Sequence, residues 1–173
     1  KVVHRAGKLG LSSAVLAGFD NASGDIIGVI DADLSHPTSK IPELIDCIIK
    51  ENADLAIGSR LVQDGGVEDW PFSRKLVSWG ATLLARPLTK VRDPMTGFFF
   101  LKKDVIKDVK LQPVGYKILL EILVRGKYSK YKEVPYLFLN RSVGSSKLGV
   151  KEHIDYVKHL FSLYSYKIKR LFR

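Results

Sequence analysis

The sequence predicts an α/β fold, a mostly parallel sheet flanked by helices, and three observations carry that prediction. Asp25 to Ile30 (DIIGVI) is short, almost wholly apolar and rich in β-branched residues, which suits a strand buried on both faces. Ile41 to Glu51 sets Ile41, Leu44, Ile45, Ile48 and Ile49 at helical spacing, and a second strand-like run follows at Asp54 to Gly58. Strand, helix and strand in that order imply a parallel pair with its crossover helix, the unit from which layered α/β domains are built. The 173 residues, 46% hydrophobic and 27% charged, suffice for one domain with a sizeable core. They exclude a peptide hormone, a disordered chain and a low-complexity repeat.

The remaining elements follow in order. Leu11 to Ala22 reads as a short helix, because Leu11, Ala14, Val15, Gly18, Phe19 and Ala22 recur at helical spacing before the stop at Gly24. Thr38 or Ser39 is placed to cap the helix that begins near Ile41. Phe72 to Leu88 is helical despite Gly80, and Thr96 to Leu101 (TGFFFL) is strand-like. Asp104 to Val109 reads as a short helix, Tyr116 to Arg125 as a longer one, and Lys132 to Leu139 as a strand in which Pro135 marks an edge or bulge. The last helix runs from about Lys151 to Phe172, with Lys167, Lys169, Arg170 and Arg173 crowding its end. It is either a membrane-surface or partner-binding helix, or a core-packed helix with a solvated basic face.

Charge is distributed unevenly. The net formal charge is +10, yet residues 1 to 116 hold 15 basic and 14 acidic side chains while residues 117 to 173 hold 13 and 4. A basic last third on a nearly neutral body serves nucleic acid, an anionic membrane surface or a phosphorylated ligand. No apolar run approaches the roughly 18 residues of a spanning helix, and no secretory leader is recognisable. The single Cys47, in apolar helical surroundings, is expected to be a buried thiol.

The most informative segment is Asp31-Ala32-Asp33-Leu34-Ser35-His36-Pro37, directly after the first strand. Ligands of open α/β sheets bind beyond the carboxyl ends of the strands, where Asp31 and Asp33 suit Mg²⁺ or Mn²⁺ completed by phosphate oxygens and water. The alternative is a solvated turn with a helix cap, and His36 is either a ligand or a turn residue. Arg60, in Gly58-Ser59-Arg60, reaches the same edge if the two strands are parallel neighbours. Arg74 opens the next helix with Ser78 one turn on; Arg60 and Arg74 either grip a phosphate or serve as surface charge. Asp93, in Asp93-Pro94-Met95-Thr96-Gly97, contacts an acceptor or sugar, or forms an Asx-turn. Asn140 to Gly149, with Arg141 and Lys147, is either a phosphate-binding loop or a plain turn, and it lacks the P-loop order. His4, His153 and His159 read as surface residues.

Taken in order, DADLSHP, GSR, DPMTGFF, a GYK-started helix with Glu121, and NRSVGSSKLG resemble the dolichyl-phosphate mannosyltransferase branch of the family 2 glycosyltransferases, over nearly the whole chain. The resemblance implies a GT-A fold and an inverting transfer of mannose from GDP-mannose to dolichyl or another polyprenyl phosphate, with Mg²⁺ or Mn²⁺. Matched residue by residue, it makes Asp33 the metal ligand and Asp31 a ligand nearer the nucleotide and sugar. Arg60, Arg74, Ser78 and Arg141 fall around the donor diphosphate and acceptor phosphate, with Asp31, Asp33, Arg60 and Arg141 as the catalytic set. Lys147 falls in the Ser-Lys-Leu element, and Ser35 stands where relatives often place a metal-binding Gln. The family's opening Pro-x-Tyr-Asn-Glu and Asp-Asp-x-Ser motifs do not occur, so the expected architecture is an N-terminally truncated GT-A catalytic domain over residues 1–149, lacking the first strands. A basic amphipathic membrane-interface helix over 150–173 follows it.

Under this reading the basic third addresses a lipid phosphate and a bilayer, with juxtamembrane Lys and Arg on the cytoplasmic face, and no nucleic-acid partner is expected. Three rivals stand beside it. They are the same fold acting on UDP-glucose, a basic nucleic-acid-binding domain, and a membrane-docking scaffold that has lost catalysis.

Overall fold

The computed structural model describes residues 2–7, 10–112, 114–139 and 149–172. Its elements, in chain order, are α1 (Leu11–Asn21), β1 (Ile26–Val29), α2 (Ile41–Ile49), β2 (Leu55–Ser59), β3 (Gly66–Val67), α3 (Phe72–Ala85), β4 (Phe99–Lys102), α4 (Ile118–Arg125), β5 (Tyr131–Pro135), β6 (Leu137–Phe138) and α5 (Val150–Leu171). Single 3-10 turns occupy Thr38–Lys40 and Lys103–Val105.

The main sheet is mixed, in the order β1-β4-β2-β5. β2 pairs parallel with β5, while β4 runs antiparallel to both β1 and β2. Three of the four strands therefore share one direction. β1 and β2 are parallel, as the strand-helix-strand order implies, but they are not neighbours, because β4 is inserted between them. That insertion rests on contacts distant in sequence, which local periodicity does not encode.

Continuous apolar strands require cover on both faces. β2 is buried along its whole length. On one face Phe19 of α1 and Leu119 and Ile122 of α4 pack with Ile27, Leu55, Ile57, Phe99 and Leu101. On the other, Leu44, Cys47 and Ile48 of α2 meet Ala56, Phe98, Val134, Tyr136 and Phe138. Cys47 is the buried thiol expected of it. A third cluster joins Ala85 of α3, Leu120 of α4, and Tyr156, Leu160 and Leu163 of α5.

Several local expectations are corrected. The Thr38 and Ser39 side chains do not cap α2, which is entered through the 3-10 turn, and the helix expected at Asp104 to Val109 is likewise a 3-10 turn. The strand expected from Thr96 begins at Phe99, because the Thr96 hydroxyl accepts the Phe98 N–H at 3.2 Å and holds a loop there. Lys132 to Leu139 divides after Pro135, and its second half pairs with β3 in a separate two-stranded sheet. His159 is buried, not surface: its Nε2 lies 2.7 Å from Glu121 Oε2 and ties α5 to α4.

Asp54 shows how the start of β2 is anchored. Its carboxylate accepts the Ser129 N–H at 2.9 Å, the Ser129 hydroxyl at 3.0 Å and the Lys130 N–H at 3.1 Å, and pairs with Lys102 at 3.2 Å. Burial disfavours its charge, but these bonds outweigh burial and hold its pKa at about 2. A depressed carboxylate contributes stability that is present above its ordinary value of about 4 and is lost as pH falls through about 2. Asp54→Asn is expected to cost about 1 kcal/mol at neutral pH. It should also flatten the decline of thermal stability between about pH 4 and pH 2; an unchanged acid limb would contradict the anchoring.

Candidate active site

The sheet brings three chain segments to one edge. β1 and β2 end there, and antiparallel β4 begins there, with Phe99 in register with both Val29 and Ile57. Residues 31–37, Arg60 and residues 93–98 consequently converge beyond the strand ends, where α/β sheets bind ligands.

The Asp31 turn is built, not merely solvated. Asp31 N–H donates to His36 Nδ1 at 3.3 Å, and Asp33 Oδ1 accepts the Ser35 N–H at 3.1 Å. Leu34, exposed between them, holds a left-handed φ of 62°, the local strain that clusters at functional turns. His36 is buried and stacked on Phe98, with centroids 5.2 Å apart, and touches Tyr136 and Phe138 edge-on. Burial lowers its pKa against the pull of Asp31 and Asp33, so the neutral ring accepts from the backbone. Of its two readings, the turn role is the one observed. Asp31 lies against Gly97, where an added Cβ would stand 3.1 Å from Oδ2 and the carboxylate would have to give by a few tenths of an ångström.

Arg60 reaches this edge and is gripped there by Asp93. Its Nε and Nη2 donate to the two carboxylate oxygens at 2.7 and 2.8 Å, and its own backbone N–H adds a third bond at 3.0 Å. The Arg60 side chain is 10% exposed and Asp93 is fully buried. Burial opposes the Arg60 charge, but Asp93 outweighs it and raises the guanidinium pKa. Asp93 is in turn held by Glu133 of β5, whose carboxylate accepts the Arg92 and Asp93 N–H groups at 2.9 and 3.2 Å. Both Asp93 carboxylate oxygens are thus engaged by Arg60, and the carboxylate positions that side chain. Among the described residues Asp93 takes two of the five guanidinium N–H donors.

Trp70 joins the two arginines. The β3–β6 pair folds residues 60–71 back over the sheet, and the Trp70 ring receives Arg74 at 3.9 Å and Arg60 at 5.6 Å. Two guanidinium groups thus lie within cation–π range of one indole ring, and guanidinium groups suit phosphate. Ser78 lies one turn further along α3, partly buried. Lys117, just before α4, donates to the Met95 carbonyl at 3.2 Å and sits over the Tyr116 ring at 4.4 Å. Burial and the nearby Arg60 and Arg74 lower its pKa to about 8 against the pull of Asp93 and Asp31. Arg141 and Lys147 lie outside the described residues.

Among the described residues no three His, Cys, Asp or Glu side chains converge on one point. A Mg²⁺ or Mn²⁺ bound with a diphosphate needs only one or two protein carboxylates, which Asp31 and Asp33 provide, so the donor set fits such an ion. Ser35 has a buried hydroxyl with no partner among the described residues.

Comparison with known proteins places this arrangement. The family model described as "Glycosyl transferase family 2" matches residues 1–110, which include Asp31, Asp33, Arg60, Arg74 and Asp93. The chain belongs to glycosyltransferase family 2. It is 52% identical over 167 residues to the dolichol-phosphate mannosyltransferase of Pyrococcus furiosus, covering 94% of this chain and 47% of that protein. It is 37% identical over 176 residues to the dolichol-phosphate mannosyltransferase of Saccharomyces cerevisiae, covering 96% of this chain and 65% of that protein. The chain thus spans roughly half to two thirds of the relatives it matches. Glucosyl-3-phosphoglycerate synthase from Mycobacterium tuberculosis, crystallised with Mn²⁺, UDP-glucose and phosphoglyceric acid, superposes with a TM-score of 0.64 at 19% identity, over 94% of this chain and 56% of that one. The fold of this family 2 chain is GT-A.

Trp70, Lys117 and Glu133 were not legible as site residues in the sequence. Trp70 and Glu133 have no motif, and only the sheet register brings them in. Lys117 had a signal in the GYK that opens α4, but nothing local said that this helix begins beside Asp93.

Proposed function

We infer that the polypeptide carrying this chain transfers mannose from GDP-mannose to dolichyl or another polyprenyl phosphate, inverting the anomeric carbon. The observation that carries this reading is the convergence, on one sheet edge, of the Asp31–Asp33 turn and the Trp70-linked Arg60 and Arg74. A carboxylate turn for a metal-bound diphosphate stands beside a guanidinium pair for a second phosphate, and a 52% identical relative is a dolichol-phosphate mannosyltransferase.

Asp33 and Asp31 would hold Mg²⁺ or Mn²⁺, which supplies charge neutralisation for the departing diphosphate. The M. tuberculosis neighbour, crystallised with Mn²⁺, supports such an ion. A phosphate monoester has a second pKa of about 6, so the acceptor is largely dianionic at neutral pH and needs no strong general base. Arg60, fixed by Asp93, and Arg74, fixed on Trp70, orient that dianion for attack on the anomeric carbon from the face opposite the leaving group. Arg141 and Lys147 are proposed to complete the phosphate contacts from residues 140–149. Donor choice is tested by competition: GDP should protect against GDP-mannose turnover far better than UDP, whereas UDP-glucose turnover inhibited by UDP would favour the glucosyl alternative.

The acceptor's lipid requires a membrane surface, and two helices offer one. α3 leaves Phe72, Leu76, Trp79 and Leu83 exposed at helical spacing, and α5 leaves Ile154, Val157, Phe161 and Ile168 exposed. The inner stripe of α5 packs into the core through Tyr156, Leu160 and Leu163, so packing does not account for its outer apolar residues. Tyr156 and Tyr164 donate to the Ala81 and Leu84 carbonyls at 2.6 and 2.7 Å and hold the helices side by side. Lys167 is bound to the Pro87 carbonyl at 2.7 Å, while Lys169 and Arg170 are exposed for anionic lipid. No helix among the described residues is long and apolar enough to cross a membrane. The proposed placement is on the cytoplasmic face. Replacing Phe72 and Trp79 by Ser, at about 1 kcal/mol each for partial burial, should weaken binding to anionic vesicles by roughly tenfold to thirtyfold. Unchanged vesicle partitioning would remove α3 from the interface.

A further inference from the structure

Beside Arg60 and Arg74 the site holds a further cation, Lys117. Among the described residues Lys117 donates one hydrogen bond, to the carbonyl of Met95, and its ammonium sits over the Tyr116 ring at 4.4 Å. Met95 lies midway along the loop whose one end, Asp93, grips Arg60, and whose other end, Gly97, abuts the Asp31 carboxylate. The Lys117 anchor therefore lies on the loop that joins the Asp31 carboxylate to the Asp93–Arg60 pair. Arg60 and Arg74 are pinned to Asp93 and Trp70, whereas Lys117 has a flexible stem and three donors, of which Met95 takes one.

We propose that Lys117 is a catalytic residue that contacts the acceptor phosphate, donating to an oxygen of the attacking phosphomonoester and offsetting its repulsion from the donor diphosphate. The structural alternative, that Lys117 only ties α4 to the Met95 loop, explains the hydrogen bond. It does not explain why a partly buried ammonium, whose charge burial disfavours until a dianion arrives, is tied to the loop that carries Asp93 at one end and Gly97 at the other. The acceptor supplies that dianion, so binding the acceptor and holding the Lys117 proton reinforce each other.

This proposal rests on the polyprenyl-phosphate reading, and its test separates the two. In the complete polypeptide, polyprenyl phosphate and neutral polyprenol would be titrated onto the wild type, Lys117→Gln and Lys117→Arg in detergent, followed by steady-state kinetics for both substrates. The expected result for Lys117→Gln is a loss of about a hundredfold in kcat/KM for the acceptor, the range of a charge-assisted hydrogen bond. Binding of the polyprenyl phosphate should weaken, while neutral polyprenol affinity and donor KM stay within about threefold. Lys117→Arg should recover most of the loss, which a purely structural role for the amine would not predict. Lys117→Gln with wild-type acceptor kinetics overturns the proposal alone, and so does a loss confined to donor KM, which would assign the ammonium to the diphosphate. If Lys117→Gln does not fold, Lys117→Arg decides: a folded Arg variant with acceptor kcat/KM as low as background overturns the contact. A wild type that binds no polyprenyl phosphate overturns both readings together.

Discussion

Asp33→Ala in the complete polypeptide is expected to abolish metal-dependent sugar transfer, with kcat reduced at least about a hundredfold, the scale set by removal of one preorganised electrostatic stabiliser. The effect should be chemical and not structural. Asp33 is partly exposed, and one of its carboxylate oxygens closes a two-residue turn onto the Ser35 N–H, an interaction worth about 1 kcal/mol. The melting temperature should consequently move by only a few degrees while turnover disappears. Asp33→Asn sharpens the test, because the amide oxygen can still accept from Ser35 while the charge that binds a cation is gone. If the Asn variant retains near-normal turnover with the same metal dependence, Asp33 does not hold the ion, and the assignment of the Asp31 turn falls.

Asp93→Ala should act through the opposite balance, with stability and activity lost together. Asp93 has no exposure, and its removal leaves a nine-tenths buried guanidinium without its two carboxylate bonds, a change of about 3–5 kcal/mol when one partner of a buried pair is deleted. Arg60 would turn away from the site or draw in water, and the acceptor phosphate would lose an oriented contact. Asp93→Asn keeps the shape and tests the charge: we expect a smaller destabilisation but a clear rise in acceptor KM, since an amide can engage only one side of the guanidinium fork. Glu133→Gln should give a weaker version of the same result, because Glu133 receives the Arg92 and Asp93 N–H groups. An Asp93→Ala protein with wild-type denaturation and acceptor kinetics would show that the pair orients nothing.

The parts of this account that were legible in the sequence are those encoded locally. The DIIGVI and DLAIG runs declared their strands by composition, and α2 and α5 declared themselves by spacing, because burial on one face repeats with the period of the element. Asp31, Asp33, Arg60 and Arg74 were legible because they follow or flank those elements closely. What was hidden depends on register. β4 enters between β1 and β2 and carries the 93–97 loop to the edge, so the Arg60–Asp93 pair could not be read from the sequence beside the substrate-contact and turn alternatives. His159 looked like a surface residue on a basic helix, yet the α4–α5 packing buries it against Glu121. Lys117 and Trp70 became site residues only when loops of different elements met.

The central claim is that this sheet edge joins a nucleotide-linked sugar to a lipid phosphate by electrostatic positioning. Its most direct test is to incubate the complete polypeptide with radiolabelled GDP-mannose, a divalent cation and polyprenyl phosphate, and to count label extracted into the organic phase. The account predicts mannose in the lipid phase, dependent on both the cation and the lipid phosphate. Label that stays in the aqueous phase, or a lipid product formed from UDP-glucose and not from GDP-mannose, would contradict it.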